Sequence, residues 1–211
     1  RHLPEDHRKH LAPRGRNPGH ATNQTGNEVA DNPAIGVPAR RVAAHVVDSL
    51  RAAAPAAQIV TGAFSEALLD GVGRIAISPG LDPRQPLVQA ARARGIAVIG
   101  EMSLFVEALE RLGKRGETHL IAITGTNGKT TTTTLAGEMV KAAGIDGVVA
   151  GNISPAALDV LMDRLDAGAP LPQWWVLELS SFQLETEPPL DAVSATVLNV
   201  TDDHLDRYAG L

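Results

Sequence analysis

The chain has 211 residues, of which 44% are hydrophobic and 20% charged, a composition that suits one or two folded α/β domains. It has no cysteine and a formal net charge of −5, which argues against a disulfide scaffold, cysteine-ligated zinc, a thiol nucleophile or a basic coat for nucleic acid. Aromatic residues make up only 3%, so a base-stacking surface is not expected either. No apolar run approaches the ~20 residues of a membrane helix and no signal peptide is recognisable, so we expect a cytoplasmic protein.

The first residues predict a tail. Residues 1–28 hold four hydrophobic side chains and four of the seven histidines, with scattered proline and glycine and no periodicity. The histidines could form a metal site, but no predicted element fixes their geometry, and so little apolar surface cannot offset the entropy of ordering. We therefore expect residues 1–37 to be a disordered or atypical tail.

Short apolar strands and helices then alternate, as in a parallel sheet flanked by helices. The pattern predicts a partial Rossmann-like domain over residues 38–113, although the glycine-rich first turn of such a domain is missing. The predicted elements are a helix from Pro38, a strand at Gln58–Thr61, a short helix at Glu66–Leu69, a strand at Arg74–Ser78, a helix at Pro86–Arg94, a strand at Ile96–Ile99 and a helix at Ser103–Leu112.

A polar linker at Gly113–Gly116 predicts a domain boundary, and residues 117–211 predict a second α/β unit with a parallel sheet. Its predicted elements are a strand at His119–Thr124, a helix through Ala143, a short strand at Val148–Ala150, a helix near Pro155–Leu165 and strands at Trp174–Leu179 and Ala195–Val200.

A phosphate-binding loop follows the first strand of this unit. Glycines let backbone N–H groups curl around phosphates, and the N-terminus of the next helix adds positive partial charge. Lys129 supplies a point charge, and the Thr130 hydroxyl can ligate Mg²⁺. The usual first glycine, five positions before Gly128, is replaced by Ile123. The candidate nucleotide-binding residues are Gly125, Thr126, Asn127, Gly128, Lys129, Thr130 and Thr131.

Polar residues at three later strand ends are candidate site residues. Glu178 ends an apolar strand, where a buried carboxylate is costly unless it is compensated. It could be a ligand of a cation, or it could pair with a buried Arg or Lys. His204 follows the last strand within an acidic cluster, and is a candidate metal or substrate group or a surface histidine. Asn152, after Gly151, suits a substrate hydrogen bond or simply a turn.

Four segments together resemble the ATP-dependent Mur ligases of peptidoglycan and cell-wall synthesis. They are ITGTNGKTTTT, GNI, WVLELSSFQLE and NVTDDHLDRY, in that order and spacing. The last two are most similar to the branch that adds D-glutamate to UDP-N-acetylmuramoyl-L-alanine. The resemblance covers about residues 58–211, including AISPGL and GEMSLF, which look like the end of a UDP-binding domain.

The resemblance implies roles for individual residues. Lys129 would stabilise the transferring γ-phosphoryl group, Thr130 and Glu178 would ligate Mg²⁺, and His204 would hold a second Mg²⁺. Asn152 and Ser180 would contact the UDP-sugar, with Ser78 and Gly80 near its pyrophosphate. Ser154 stands where the family pattern has glycine, and residues 1–37 have no counterpart of the family's N-terminal glycine-rich turn.

The implied reaction is phosphorylation of a substrate carboxylate by ATP, followed by attack of an amino acid's amine on the acyl phosphate. The implied ligands are ATP, Mg²⁺, UDP-N-acetylmuramoyl-L-alanine and D-glutamate. The protein that binds them is expected to be a monomer. Because the family's metal-holding lysine and C-terminal domain would follow Leu211, we expect a truncated ligase with little or no turnover. The alternatives are a nucleotide-binding fragment without catalysis, or another Mur-type or folylpolyglutamate-type ligase.

Overall fold

The computed structural model describes residues 34–37, 44–187 and 189–203, and shows an α/β protein with parallel sheets. The first part contains two small parallel sheets, each of two strands, in the orders β1-β2 and β3-β4. Its elements are β1 (Ala34–Val37), α1 (Ala44–Ala53), β2 (Gln58–Thr61), a 3-10 turn (Glu66–Leu69), β3 (Arg74–Ala76), α2 (Pro86–Ala93), β4 (Ala97–Ile99) and α3 (Glu101–Arg111).

Strand β1 lies within the range predicted to be a tail. Its four residues pair in parallel with β2, with Ile35 opposite Ile59. Its sequence, AIGV, contains a glycine, which is disfavoured in strands, whereas β2 (QIVT) has three consecutive β-branched residues, so β1 is defined by the partner that it pairs with. The rest of the predicted tail lies outside the described residues, and the predicted division into domains stays a prediction.

The second part contains a four-stranded parallel sheet with the order β6-β7-β5-β8. Because all four strands run the same way, the loops that follow them lie at one edge of the sheet. The loop after β5 therefore lies between the ends of β7 and β8. The elements are a 3-10 turn (Arg115–Glu117), β5 (His119–Thr124), α4 (Lys129–Ala142), β6 (Gly147–Gly151), α5 (Ala157–Asp166), β7 (Trp174–Glu178), α6 (Ser181–Leu184) and β8 (Ser194–Val197).

The main core joins this sheet to helices α3 and α5. Trp175, the second residue of β7, is fully buried and packs its indole against Phe105 of α3, with ring centroids 4.7 Å apart. Its indole N–H donates to the carbonyl of Pro172 at 2.9 Å, so the buried polar atom is satisfied. Helix α3 thus packs against the sheet of the second part. No helix in the described residues is long and apolar enough to cross a membrane.

Two glutamates from distant parts of the chain bind the N-termini of α3 and α5. The Glu187 carboxylate accepts hydrogen bonds from the backbone N–H groups of Met102 at 3.1 Å and Ser103 at 2.8 Å. The Glu101 carboxylate accepts one from the N–H of Leu158, in the first turn of α5, at 3.2 Å. Negative charge at a helix N-terminus is favourable, so these contacts fasten α3 to the loops around the second sheet.

Gly137 allows α4 to lie directly on β6. A Cβ atom at this position would be 2.2 Å from Cγ2 of Val149, a β-branched side chain that cannot swing away freely. We expect Gly137→Ala to reduce the free energy of unfolding by about 1–3 kcal/mol through overpacking, although alanine normally favours a helix interior. Urea denaturation measures the change.

The matched control is Gly137→Ala combined with Val149→Ala, because the smaller side chain makes room for the added methyl group. Against a Val149→Ala background, the alanine at position 137 should be neutral or stabilising. An equal loss in both backgrounds would contradict the packing explanation.

Candidate active site

The phosphate-loop candidate forms a tight turn between β5 and α4. Gly125 has φ +138° and Gly128 has φ +82°, both in the region that favours glycine. A Cβ atom on Gly125 would lie 3.1 Å from the backbone nitrogen and oxygen of Asn199. Gly128 is the N-cap of α4, so the loop leads directly into a helix N-terminus with its unpaired N–H groups. Glycine at position 125, in place of position 123, therefore allows the loop to lie close to the segment after β8.

Lys129 folds over the loop. Its Nζ donates to the carbonyl oxygens of Gly125 at 2.8 Å and Thr126 at 3.1 Å. This places a positive charge above the first turn of α4, the end of the helix that attracts anions. Phosphate oxygens would be stronger acceptors than these neutral carbonyls.

Glu178, the last residue of β7, is buried with 3% of its surface exposed. Its Oε2 accepts from the Thr130 hydroxyl at 2.8 Å, and its Oε1 accepts from the Asn152 side-chain amide at 2.9 Å. Within the part of the chain that the structure describes, these two side chains are its hydrogen-bond partners, and both are neutral. Two interpretations of Glu178 were open, a cation ligand and a carboxylate paired with a buried Arg or Lys. No Arg or Lys partner of Glu178 is found among the described residues.

Gly151 is what allows Asn152 to reach Glu178. Strands β6 and β7 are in register with Gly151 opposite Glu178, and the Asn152 N–H donates to the Glu178 carbonyl at 2.7 Å. Gly151 has φ +109°, and a Cβ atom there would be 2.3 Å from the Glu178 carbonyl oxygen. The Gly-Asn pair is thus a backbone contact of β7 as well as a turn.

Two of the three predicted metal ligands lie together. The Thr130 hydroxyl and the Glu178 carboxylate are oxygen donors of the kind that Mg²⁺ prefers, and they lie within hydrogen-bonding distance of each other. The third, His204, lies outside the described residues. In the described ranges, no group of three or more His, Cys, Asp or Glu side chains could hold a metal ion. Thr131 lies in the first turn of α4, next to Thr130.

The predicted substrate residues are divided between the two parts. Ser180 is the N-cap of α6, where its hydroxyl accepts from the Gln183 N–H at 3.1 Å and forms a capping box with that glutamine. Ser78 and Gly80 lie in the turn after β3, closed by a hydrogen bond from the Leu81 N–H to the Ser78 carbonyl at 2.9 Å. Their roles toward a substrate stay predictions.

Asn199 is a site residue that was not singled out from the sequence. It follows β8, and its side-chain amide pairs with the backbone of Asn127: Oδ1 accepts from the Asn127 N–H at 2.8 Å, and Nδ2 donates to the Asn127 carbonyl at 3.0 Å. Its position as a polar residue ending an apolar strand was the available signal. The partner could not be inferred, because it depends on β8 lying beside β5.

We predict that Gly151→Ala destabilises the site as well as the fold. The new Cβ would displace the Glu178 carbonyl and be strained at positive φ, so we expect a loss of about 2 kcal/mol or more in the free energy of unfolding. Gly168→Ala is the matched control, since Gly168 also has a positive φ (+62°) but has nothing within 4 Å of its Cβ position. Equal losses in urea denaturation would show that strain alone, and not contact with β7, explains the glycine.

Two family profiles match the chain. One describes the Mur ligase middle domain and matches residues 123–211, which includes the phosphate loop, Asn152, Glu178 and Asn199. The other describes the MurD-like N-terminal domain of Mur ligases and matches residues 31–100. Between them, the two profiles cover every described strand except the first four residues of β5.

Curated relatives match across the same region. A UDP-N-acetylmuramoylalanine–D-glutamate ligase of Aromatoleum aromaticum is 63% identical over 165 residues, which is 78% of this chain and 35% of that protein. The protein of the same name from Nitrosomonas europaea is 55% identical over 154 residues, 73% of this chain and 32% of that protein. The chain thus spans about a third of the length of these relatives.

A solved structure, the UDP-N-acetylmuramate:L-alanyl-γ-D-glutamyl-meso-diaminopimelate ligase from Neisseria meningitides, superposes on 84% of this chain and 56% of its own. The TM-score is 0.46 and the sequence identity 16%. At that level the similarity adds nothing to what the strands of this chain already show.

Proposed function

The chain belongs to the Mur ligase family, and we propose that it carries the nucleotide site of an ATP-dependent ligase that joins D-glutamate to UDP-N-acetylmuramoyl-L-alanine. Two observations support the choice of substrates: the names of the matched relatives, and the segments LELSSFQLE and NVTDDHLDRY. The reaction would take place in the cytoplasm, where ATP is supplied.

The observation that carries the proposal is the contact between Thr130 and Glu178. A hydroxyl on the first turn of the phosphate-loop helix meets a buried carboxylate from the neighbouring strand, at 2.8 Å. A carboxylate with only neutral partners is costly to bury, and a divalent cation would compensate that cost. Thr130 and Glu178 would therefore hold Mg²⁺, which when bound neutralises charge on the nucleotide phosphates.

The remaining residues of the site would bind and orient the phosphates. The N–H groups at the start of α4 point into the space above the helix, where they can donate to phosphate oxygens. Lys129 would exchange its two carbonyl partners for phosphate oxygens, which are charged and therefore better acceptors. Asn152 would keep the Glu178 carboxylate oriented through its amide.

The reaction that this site would serve has two steps. A carboxylate oxygen of UDP-N-acetylmuramoyl-L-alanine attacks the γ-phosphorus of ATP, and ADP leaves. The amine of D-glutamate then attacks the acyl carbon, phosphate leaves with the bond electrons, and the nitrogen loses a proton. Neither step needs a protein nucleophile, which agrees with a chain that has no cysteine. Positioning and charge neutralisation supply the catalysis.

The variant that tests the proposal is Glu178→Gln, which keeps the size of the side chain and removes its charge. In the presence of Mg²⁺ we expect the affinity for ATP to fall about 10- to 100-fold, because a metal ligand is lost. Without Mg²⁺ the affinity should be unchanged or higher, because a negative charge near the phosphates is gone. Calorimetric titration with ATP, with and without Mg²⁺, measures both.

Lys129→Met is the comparison variant, since it removes a charge that faces the phosphates directly and should weaken ATP binding under both conditions. Equal effects of Glu178→Gln with and without Mg²⁺ would contradict a metal-binding role. Substrate identity is tested separately. The affinity of the chain for UDP-N-acetylmuramoyl-L-alanine is compared with its affinity for the same compound lacking the alanyl group. Indistinguishable affinities would contradict the proposed substrate.

A further inference from the structure

The segment after β8 holds the first half of the phosphate loop through its backbone. The Thr126 N–H donates to the Asn199 carbonyl at 3.0 Å, and the Asn127 N–H donates to Asn199 Oδ1 at 2.8 Å. A second connection joins the Thr126 hydroxyl to the backbone of Thr201, accepting from its N–H at 3.1 Å and donating to its carbonyl at 3.3 Å. Residues 126–127 and 199–201 are therefore fastened to each other.

These hydrogen bonds divide the N–H groups of the loop into two sets. Those of Thr126 and Asn127 are already donated to Asn199 and do not point toward a bound phosphate in this conformation. The N–H groups at the start of α4 have no acceptor within the helix. Phosphate recognition by the backbone thus begins at Gly128, the N-cap.

The side chain of Asn199 fixes the direction of the Gly128 N–H. In a trans peptide the C=O and the N–H point in opposite directions. Because the Asn127 carbonyl is bound to Asn199 Nδ2 at 3.0 Å, the Gly128 N–H in the same peptide plane must point away from Asn199. Rotation of this plane would cost the hydrogen bond.

The neighbouring peptide plane obeys the same rule. The Asn127 N–H is held by Asn199 Oδ1, so the Thr126 carbonyl points the other way, and it does so toward Lys129 Nζ at 3.1 Å. One amide side chain thus orients two consecutive peptide planes and, through the second, an acceptor for the Lys129 ammonium group.

We propose that Asn199 is a positioning residue for nucleotide phosphates, acting through the peptide planes on both sides of Asn127. This inference rests on the proposed nucleotide-binding function. It predicts that Asn199 matters for ligands that carry phosphates and not for the adenosine moiety. The Asn199 side chain is exposed, and its main contribution is to orient the two peptide planes on either side of Asn127.

The test is Asn199→Ala in the 211-residue chain, titrated by calorimetry with Mg-ADP and by ligand-observed NMR with adenosine. We expect the affinity for Mg-ADP to fall about tenfold, the equivalent of one or two lost hydrogen bonds, and the affinity for adenosine to stay within about twofold. Val200→Thr is the control, because Val200 is the adjacent residue, is 70% exposed and should change neither affinity.

The outcomes separate this inference from the function on which it rests. If the unmodified chain does not bind Mg-ADP, the proposed function fails and the inference fails with it. If the chain binds Mg-ADP and Asn199→Ala binds it equally well, only the role of Asn199 is overturned. An equal loss for Mg-ADP and adenosine would also overturn it, because that result indicates general disruption.

A second variant covers the case in which Asn199→Ala does not fold, as judged by circular dichroism. Thr126→Val removes the hydroxyl that binds Thr201 and so loosens the same connection without changing Asn199. We expect about a threefold loss of affinity for Mg-ADP with adenosine unaffected, and unchanged binding of Mg-ADP would overturn the proposal.

Discussion

The burial of the Glu178 carboxylate constrains the site more than any other single feature. A charged group with 3% of its surface exposed must be surrounded by donors, and the chain supplies them from two directions. Thr130 donates from the phosphate-loop helix and Asn152 from the loop after β6. Both loops must therefore approach the end of β7 closely, and Gly151 is needed because any Cβ there would meet the Glu178 carbonyl oxygen.

The order of strands makes this convergence possible. With β7 between β6 and β5, and β8 on the far side of β5, the loops after all four strands lie along one edge. The phosphate loop is then held on one side by Glu178 and on the other by Asn199, residues 21 positions apart in the chain that flank the same strand. The strand order of the sheet therefore places the site residues, and hydrogen bonds to Glu178 and Asn199 hold the phosphate loop from both sides.

Helix α3 contributes both to the main core and to the segments around the site. Helix α3 packs Phe105 against Trp175 in the strand that ends at Glu178, and its N-terminus is bound by Glu187, just beyond α6. Glu101, at the start of the same helix, binds the first turn of α5, which follows the Asn152 loop. The backbone segments that follow Asn152 and Glu178 are thus both tied to one helix by charge-assisted hydrogen bonds.

Much of the fold could be predicted from local patterns. The strands β2 and β5 have the predicted bounds, and the helices α2, α3 and α5 lie within two residues of theirs, because apolar periodicity and glycine or proline at the ends are local properties. Strand β1 is not indicated by its sequence, since AIGV contains a glycine where β2 has three consecutive β-branched residues, and it depends on pairing with β2. The phosphate loop was recognisable because its chemistry lies in consecutive residues.

The order of amino acids alone sets which residue types stand at the strand ends: Asn152, Glu178, and the glycines and lysine of the loop. What each of these side chains contacts depends on how the strands and helices pack. The tertiary structure pairs the Glu178 carboxylate with a hydroxyl and an amide, and it turns Ser180 toward capping α6. It also brings Asn199 to the loop, because hydrogen-bond partners that are 72 residues apart are set by strand order, which no local pattern encodes.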